Sequence, residues 1–573
     1  MNDDMATALI RWLGHRRRSA SAWGAFVRPR YCWWLVFLVL LQIGLTGCQD
    51  NLGSGGTGEF VIPREELRRI DSLDLRTKVA ATAPATQPTT APAPQTVLSI
   101  EECRRLALQN NLDLKVALFN PAISHTSLTA AEAQFEAVFT GNLNGTTSRP
   151  PVTFGTLGTL GSLRARVDEV SPSAGLQIPL VTGGTVRMNM PTDVQHFHEP
   201  GQPNIWNTDP TVTINQPLLQ GGGVYVNTQG IRIAFYEYQR SQATTKLEVT
   251  RVLADVDRAY WRLYAARGEE AVRKKAYDSA VAQLERARRQ ARAGVVAEVD
   301  VVRAESGVAD TVEGLINAEN DIRQAQRALK RILNEPTLPL DAPTVILPAT
   351  PPGVFPYDLD VDHLTSAAMH QRMEMLDLEL QIAEQTANVR VARNGLLPLV
   401  SLQYSYGITG LGSTFGESFS QVWQRSADTH QLSLQLSVPI GNEAARSKLR
   451  SAMLTRMQVL ASKEQQALQI RQEIADALDT LRTDWQRIVA AHERVVLSSR
   501  TLDVEVRQFN IGLRTSTDVL IAQSDLANAQ LAEVSAVSDY QIAQVDIAFA
   551  TGTILGASHV DWQPVVEPKV PRY

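Results

Sequence analysis

Cysteine, basic charge and long apolar runs are all scarce in this chain of 573 residues, and each shortage closes off a class of proteins. Cys32, Cys48 and Cys103 are the whole cysteine complement, too few for a disulfide framework. A net charge of -5 and a pI near 6.1 leave no basic excess, so nucleic acid is not an expected partner. The apolar stretch from Trp33 to Leu41, continuing to Ile43, falls short of the ~20 residues that a membrane-spanning helix needs. No Gly-x-x-x-x-Gly-Lys phosphate-binding loop occurs, so any transport has to be driven from outside the chain. His196 and His198 come nearest to a metal pair, but beside Pro200 they read as polar loop residues. No catalytic constellation, cofactor or metal site is expected, and the chain does not read as an enzyme.

What the N-terminus does contain is Arg11, Arg16, Arg17, Arg18, Arg28 and Arg30 ahead of the short apolar run, which stops at Leu45-Thr46-Gly47-Cys48. A charged start, a short apolar core and a small-residue cleavage site make a signal peptide over 1–47. Leu-Thr-Gly-Cys resembles the lipobox of bacterial lipoproteins, which implies lipidation of Cys48. Gln49 rather than aspartate after that cysteine resembles an outer-membrane destination. Cys103 then remains alone, read as a small buried apolar side chain on a helix. Residues 48–95, rich in Gly, Ala, Thr and Pro, read as a lipid-anchored tether.

The strongest pattern lies further on. Ile474, Leu481, Ile488, Val495, Leu502 and Phe509 recur every seven residues, a coiled-coil seam, and beyond Gly512 a second seven-residue column runs through Ala522, Ala529, Ala536, Ala543 and Ala550. Alanine lets helix axes come close. Gly512 can take the left-handed conformation that ends a helix, and Thr515, Ser516 or Thr517 can cap the next. The segment occurs twice: 293–302 aligns without gaps on 511–520, setting Gly294 on Gly512 and Asp300 on Asp518. Val301, Val308, Leu315, Ile322 and Leu329 follow at the same spacing, so the chain reads as an internal duplication of bent-back helical rods.

Each rod is preceded by strand patterns. Ser99 with Glu102 makes a capping box for a first helix; Asn120-Pro121 is expected to interrupt it, with a second helix running to about Phe135. Two-residue alternation follows around Phe139, Leu176, Met188 and Val212, then around Leu402, Tyr404, Leu432 and Leu434, with mostly Ser, Thr, Gln or Asn between. Pro217 and Pro439 end strand sets, and Leu396-Leu397-Pro398 opens one. A glycine- and serine-rich loop separates the last two strands. One-sided strands suit either a soluble sandwich or a membrane barrel; the signal peptide and the lack of another spanning segment favour the barrel. The scattered Trp and Tyr read as interface anchors. The parts are then a first repeat over 96–335, a Pro-rich linker over 336–357, a second repeat over 358–560 and a tail over 561–573.

In combination these features resemble the TolC-type outer-membrane efflux family, over about Ser99 to Gly556. The resemblance implies a mainly α fold with a transmembrane β-barrel, in which three protomers share one barrel of antiparallel strands and one long periplasmic α-barrel. It implies an outer-membrane channel of a tripartite efflux or type I secretion system, working with a periplasmic membrane-fusion adaptor and an inner-membrane pump. By motif, Asp518 resembles the aspartate that narrows the periplasmic aperture, Asp300 its counterpart in the first repeat, and Arg514 a residue of the locking network. Ile521 and Phe509 depart from that network, where an aspartate and a tyrosine can occur. Helix capping alone also accounts for Asp300 and Asp518. Asn111 aligns with Arg372 at an offset of 261 but Pro217 with Pro439 at 222, so the first repeat holds 39 extra residues, read as an added hairpin turning at 179–184, with a folded extracellular loop as the alternative. The rival reading is a periplasmic coiled-coil structural or adaptor lipoprotein without a channel.

Overall fold

The computed structural model describes residues 94–148, 166–198, 203–294, 297–511, 513–561 and 563. The signal peptide, Cys48, residues 48–93, Gly512 and most of the tail lie outside them.

The first repeat opens with β1 (Gln95–Leu98), α1 (Ile100–Asn110) and α2 (Leu112–Glu132). Ser99 caps α1 by accepting the Glu102 amide at 3.2 Å, while the Glu102 carboxylate lies on Arg105 at 3.4 Å. The helix breaks at Asn111, nine residues before the Asn120-Pro121 expected from the sequence. Asn111 takes an extended backbone, and its side chain accepts the Leu114 amide at 2.9 Å, so one residue ends α1 and starts α2. Pro121 instead sits buried inside α2. A proline cannot donate to the carbonyl four residues back; here the Thr245 hydroxyl donates to that carbonyl, Ala117 O, at 3.1 Å.

The chain then forms β2 (Val138–Ser148), β3 (Val167–Pro179), β4 (Thr185–Phe197), β5 (Ile205–Thr208) and β6 (Thr211–Pro217). The hairpin between β3 and β4 turns at 180–184, where Thr182 O accepts the Gly223 amide at 3.0 Å beside the start of the next helices. Those are α3 (Val224–Asn227), the 64-residue α4 (Gln229–Arg292) and α5 (Glu298–Leu333). Residues 336–357 are more than a linker. They hold β7 (Val345–Pro348), which pairs in parallel with β1, so Gln95, at the end of the expected tether, belongs to a two-stranded sheet.

The second repeat runs through α6 (Val361–Gln371), α7 (Met373–Asn394), β8 (Leu399–Ile408), β9 (Gly410–Gly412), α8 (Phe415–Gln424), β10 (Asp428–Ser437), the 68-residue α9 (Glu443–Asn510), α10 (Ser516–Ala550) and α11 (Ile554–Ala557). The stretch expected as a loop between the last two strands therefore contains a short strand and a helix. Polar and glycine-rich composition hid both.

Strands β10, β8, β6, β4, β3 and β2 lie side by side in that order, each antiparallel to the next. The expected added hairpin, β3 and β4, lies inside this sheet between β6 and the edge strand β2. Pairing keeps the side-chain period in step across all six strands. His430, Tyr406, Val212, Met188, Leu176 and Phe139 form one cross-sheet row, and Leu432, Tyr404, Ile214, Val186 and Ile178 the next on the same face. The opposite face carries Gln431, Ser405, Thr213, Arg187 and Gln177.

The rods are supported differently along their lengths. At roughly 1.5 Å per residue, α4 and α9 are each about 100 Å long, whereas the returning α5 and α10 have 36 and 35 residues. Near its start α4 meets α7, through Arg240 Nε to Asp377 Oδ1 at 2.6 Å, and further on it meets α10, through Arg258 Nε to Asp546 Oδ1 at 2.7 Å. α9 likewise holds α7 through Lys463 and Glu379, then α10 through Arg487 and Asp539. Ala522, Ala529, Ala536, Ala543 and Ala550 are all buried, and Ala536 and Ala543 seat against Leu478, Leu481 and Ile488. Among the described residues no helix is long and apolar enough to cross a membrane.

Where the rods, β1, β7 and α1 converge, Leu253, Tyr260, Leu263, Leu329 and Ile346 are fully buried. Cys103 is there too, its thiol pushed up to about 12 by burial. Tyr260 Oη accepts the Thr350 amide at 2.8 Å, tying the connecting segment to α4. Asp257, also buried, is held by Arg104 Nε and Nη2 at 2.8 and 2.7 Å. Burial pushes the Asp257 carboxyl up, and the guanidinium opposes that. Removing the arginine leaves a buried carboxylate without its counter-ion. Arg104→Ala is expected to cost about 3–5 kcal/mol in chemical denaturation, the range for breaking one half of a buried pair, and a loss below about 1 kcal/mol, the range of an exposed pair, would contradict it.

Candidate functional site

Two regions carry the candidate site: the tips of the helical hairpins and the edges of the sheet. At the second tip Leu513 N donates to Gln508 O at 3.0 Å, turning the chain after α9. Arg514 Nε lies 3.0 Å from Gln508 Oε1 and 3.2 Å from Glu505 Oε2, so this arginine binds back along its own hairpin. Thr515 starts α10 with a complete capping box. Its hydroxyl accepts the Asp518 amide at 3.3 Å, and Asp518 Oδ2 accepts the Thr515 amide and hydroxyl at 2.9 and 2.8 Å. Ser516 is buried, and its hydroxyl accepts Gln283 Nε2 of α4 at 3.2 Å, joining one hairpin to the other.

The first tip has the same outline without the box. Gly294 ends α4 with φ at +71°, a conformation that side chains other than glycine rarely adopt. Ala297 stands where the second repeat has Thr515 and offers no hydroxyl, so α5 begins with no side-chain cap. Asp300 sits in its first turn with Arg303 Nη1 at 3.4 Å. Capping thus describes Asp518 but not Asp300, although the two align. Between the tips a cleft of about 490 Å³ is lined by Arg273, Gly307, Asp310, Leu520, Ile521 and Asn528. Ile521 is exposed and Phe509 is buried. Glu505 and Gln283 were not legible as tip residues, because no short spacing ties them to Arg514 or Ser516.

At the other region, Pro217 is the last residue of β6, Pro398 immediately precedes β8, and Pro439 follows β10 by two positions. Pro398 O accepts the Gln220 amide at 3.3 Å, so the strand ends of the two repeats touch. β2 and β10 are the edges of the sheet, and both are exposed along most of their length. Phe139 and Leu143 on one, and Leu432, Leu434 and Leu436 on the other, are all more than 60% exposed. A long, flat, apolar edge is a template for pairing with another strand. His196, expected in a loop, lies on β4, its Nδ1 beside Asn204 Oδ1. Among the described residues no group of three or more His, Cys, Asp or Glu is placed to hold a metal.

Comparison with known proteins places this geometry. A family model described as "Outer membrane efflux protein" matches residues 201–335 and 364–553. The chain is 22% identical over 362 residues to the outer membrane efflux protein BepC of Brucella suis biovar 1 (strain 1330), covering 62% of this chain and 75% of that protein. It is 23% identical over 287 residues to the outer membrane protein TolC of Escherichia coli (strain K12), covering 48% of this chain and 55% of that one. Among solved structures, the outer-membrane channel OprN superposes with a TM-score of 0.58 at 19% identity, over 79% of this chain and 90% of that chain. The Campylobacter jejuni CmeC outer membrane channel does so with a TM-score of 0.57 at 17% identity, over 79% and 85%.

The tip makes a pH prediction. The bond from the Thr515 amide, reinforced by the Thr515 hydroxyl and then by Arg514, holds the Asp518 carboxyl below its ordinary value. A carboxyl lowered by folding stabilises above its unfolded value and loses that contribution only as pH falls through the lowered one. The capping bonds should therefore persist through neutral and mildly acidic solution. Amide exchange at Thr515 and Asp518 should accelerate, beyond its intrinsic pH dependence, only below the ordinary carboxylate range, and in Thr515→Ala the protection of the Asp518 amide should already be reduced at neutral pH. Protection at these amides that is equal in the two proteins would show that the box does not hold the tip.

Proposed function

This chain belongs to the outer membrane efflux protein family, and on that premise we propose that three copies close into a passive export duct across the outer membrane and the periplasm. One observation carries the reading: a six-stranded sheet, greasy on one face and hydroxyl- and amide-bearing on the other, ends in two unpaired strands. With an even number of alternating strands, β2 of one copy meets β10 of the next in the antiparallel sense the sheet already uses. Such head-to-tail contacts close as a ring under rotation. Lipid outside and water inside suit the two faces, and closure leaves no backbone group unpaired. Strands of 11, 10 and 10 residues in β2, β8 and β10 match the ~9–11 that a tilted membrane strand needs.

The long rods extend from the Pro217, Pro398 and Pro439 side of the sheet, and in this reading their tips lie in the periplasm. An inner-membrane pump supplies the energy and a periplasmic adaptor joins pump to duct, working as a tripartite efflux or type I secretion assembly. Cys48, lipidated, anchors the N-terminus to the same membrane. Asp518, repeated about a threefold axis, narrows the aperture and favours cations, with Asp300 in the second ring position and Arg514 bracing the turn. Capping and pore lining are compatible, since the cap bonds use Oδ2 and a carboxylate has two oxygens.

Purified mature protein in planar bilayers is expected to conduct, and electron microscopy to show a threefold hollow particle. A monomer soluble without detergent, with no conductance, overturns the duct and favours a coiled-coil spacer lipoprotein. If the protein conducts, Asp518→Ala is expected to weaken cation selectivity in single-channel recordings; unchanged selectivity rejects the aperture role.

A further inference from the structure

At the end of the sheet farthest from the rods, the two repeats are tied by an accessory ladder. β5 pairs with both β4 and β9, setting Trp206 opposite Val194 on one side and Gly412 on the other. On this ladder sits α8, and the mounting is close. A side chain at Gly410 would run into the Ser418 carbonyl, and one at Gly412 into the Ser418 amide, so two glycines let helix backbone rest on strand backbone. Ser418 Oγ donates to Gly410 O at 2.7 Å, and Gln421 Oε1 accepts the Leu411 amide at 3.1 Å. Thr414 caps the helix by accepting the Glu417 amide, while Glu417 Oε2 accepts Ser413 N and Oγ at 3.0 and 2.6 Å. Ser418 and Val422 are buried beneath it.

The face turned away from this mount is aromatic. Phe415, Phe419 and Trp423, four residues apart, stack in series with ring centroids 5.7 and 6.3 Å apart, and Trp206 meets Phe415 edge-on at 5.8 Å. Trp423 is 83% exposed, with Phe415 at 46% and Phe419 at 39%. The one charged residue of α8, Glu417, is engaged with Ser413. The side of the sheet involved follows from register. Val194 lies on β4 an even number of residues from Met188 and Met190, so Trp206 and both glycines share the face that carries the apolar rows. The aromatic stripe thus continues the greasy face beyond its last row.

We propose that α8 is an interfacial anchor whose Phe415, Phe419 and Trp423 stripe lies in the boundary between acyl chains and headgroups of the outer leaflet. The occupant is lipid because the stripe is continuous with the lipid-facing rows, carries no charge and pairs stacked phenyl rings with an indole, the composition that prefers this boundary. A helix pinned on one side and aromatic on the other lies in the plane of an interface. The inference rests on the barrel reading above, and its test separates the two.

The full mature protein is reconstituted in vesicles of phosphatidylcholine brominated near the glycerol end of one acyl chain. The Trp423 signal is the difference between the parent protein and Trp423→Phe, which keeps the stack. A Tyr406→Trp reporter, placed in Trp423→Phe, reads the centre of the apolar face. Trp423 is expected to lose most of its emission to the brominated lipid and little to aqueous iodide. Free iodide access without bromine quenching at Trp423, while the Tyr406→Trp reporter is quenched, overturns the anchor and leaves the barrel standing; that is the pattern of a stripe kept for water or a protein partner. If neither position is quenched by bromine, the barrel reading fails and the anchor with it.

Discussion

Among the described residues nothing covers the two open edges and the greasy face of the sheet, and the rest of the architecture answers to that. β2 and β10 leave rows of backbone donors and acceptors at the rims, with Phe139, Leu432, Leu434 and Leu436 exposed beside them. Neither water nor lipid suits both features at once: lipid accepts the side chains but not the backbone, and water the reverse. Closure against identical copies meets both demands. The hairpin of β3 and β4 matters here because it widens each copy's share of the wall without changing the parity of its strands, so the edges still meet in the antiparallel sense.

The rods below the sheet obey a related constraint. A helix about 100 Å long with a single apolar seam needs a partner along its whole length, yet each returning helix covers only about half of its rod. The remainder of α4 is covered by α2 and α7, and that of α9 by α7, so helices from the start of each repeat complete what the hairpins leave bare. The changeover falls where β1 and β7 pair and where Arg104 grips Asp257. That region holds the largest buried cluster among the described residues, and it packs the two hairpins together where Arg258 of α4 also meets Asp546 of α10.

Duplication has not kept the two repeats equivalent. Thr515 closes a capping box with Asp518, whereas Ala297 leaves Asp300 to Arg303. Ser516 reaches across to Gln283, so the second tip is anchored to the first rod. At the opposite end α8 belongs to the second repeat, yet the strand beneath it pairs with β5 of the first. Both ends of the protomer are thus stitched by contacts between repeats, and in the proposed ring each asymmetry occurs three times.

The rods, their turning points, the alternation of the strands and the prolines at their ends were legible in the residues alone, because each depends on a local period of two or of three and a half that no distant contact has to supply. Even the difference between the tips was present, as alanine against threonine, though its meaning needed the cap geometry. What only the tertiary structure decided were outcomes set by partners far along the chain. Pro121 stays inside a helix because Thr245 takes the carbonyl it strands, and Asn111 breaks the helix instead because its side chain can cap the next turn. Residues 345–348 become a strand because Gln95 to Leu98 lie alongside. Helix α8 forms in a stretch that reads as loop because Gly410 and Gly412 let it settle on a strand whose own pairing lies two hundred residues earlier. Contacts of that reach leave no periodic trace, so composition and spacing pass over them.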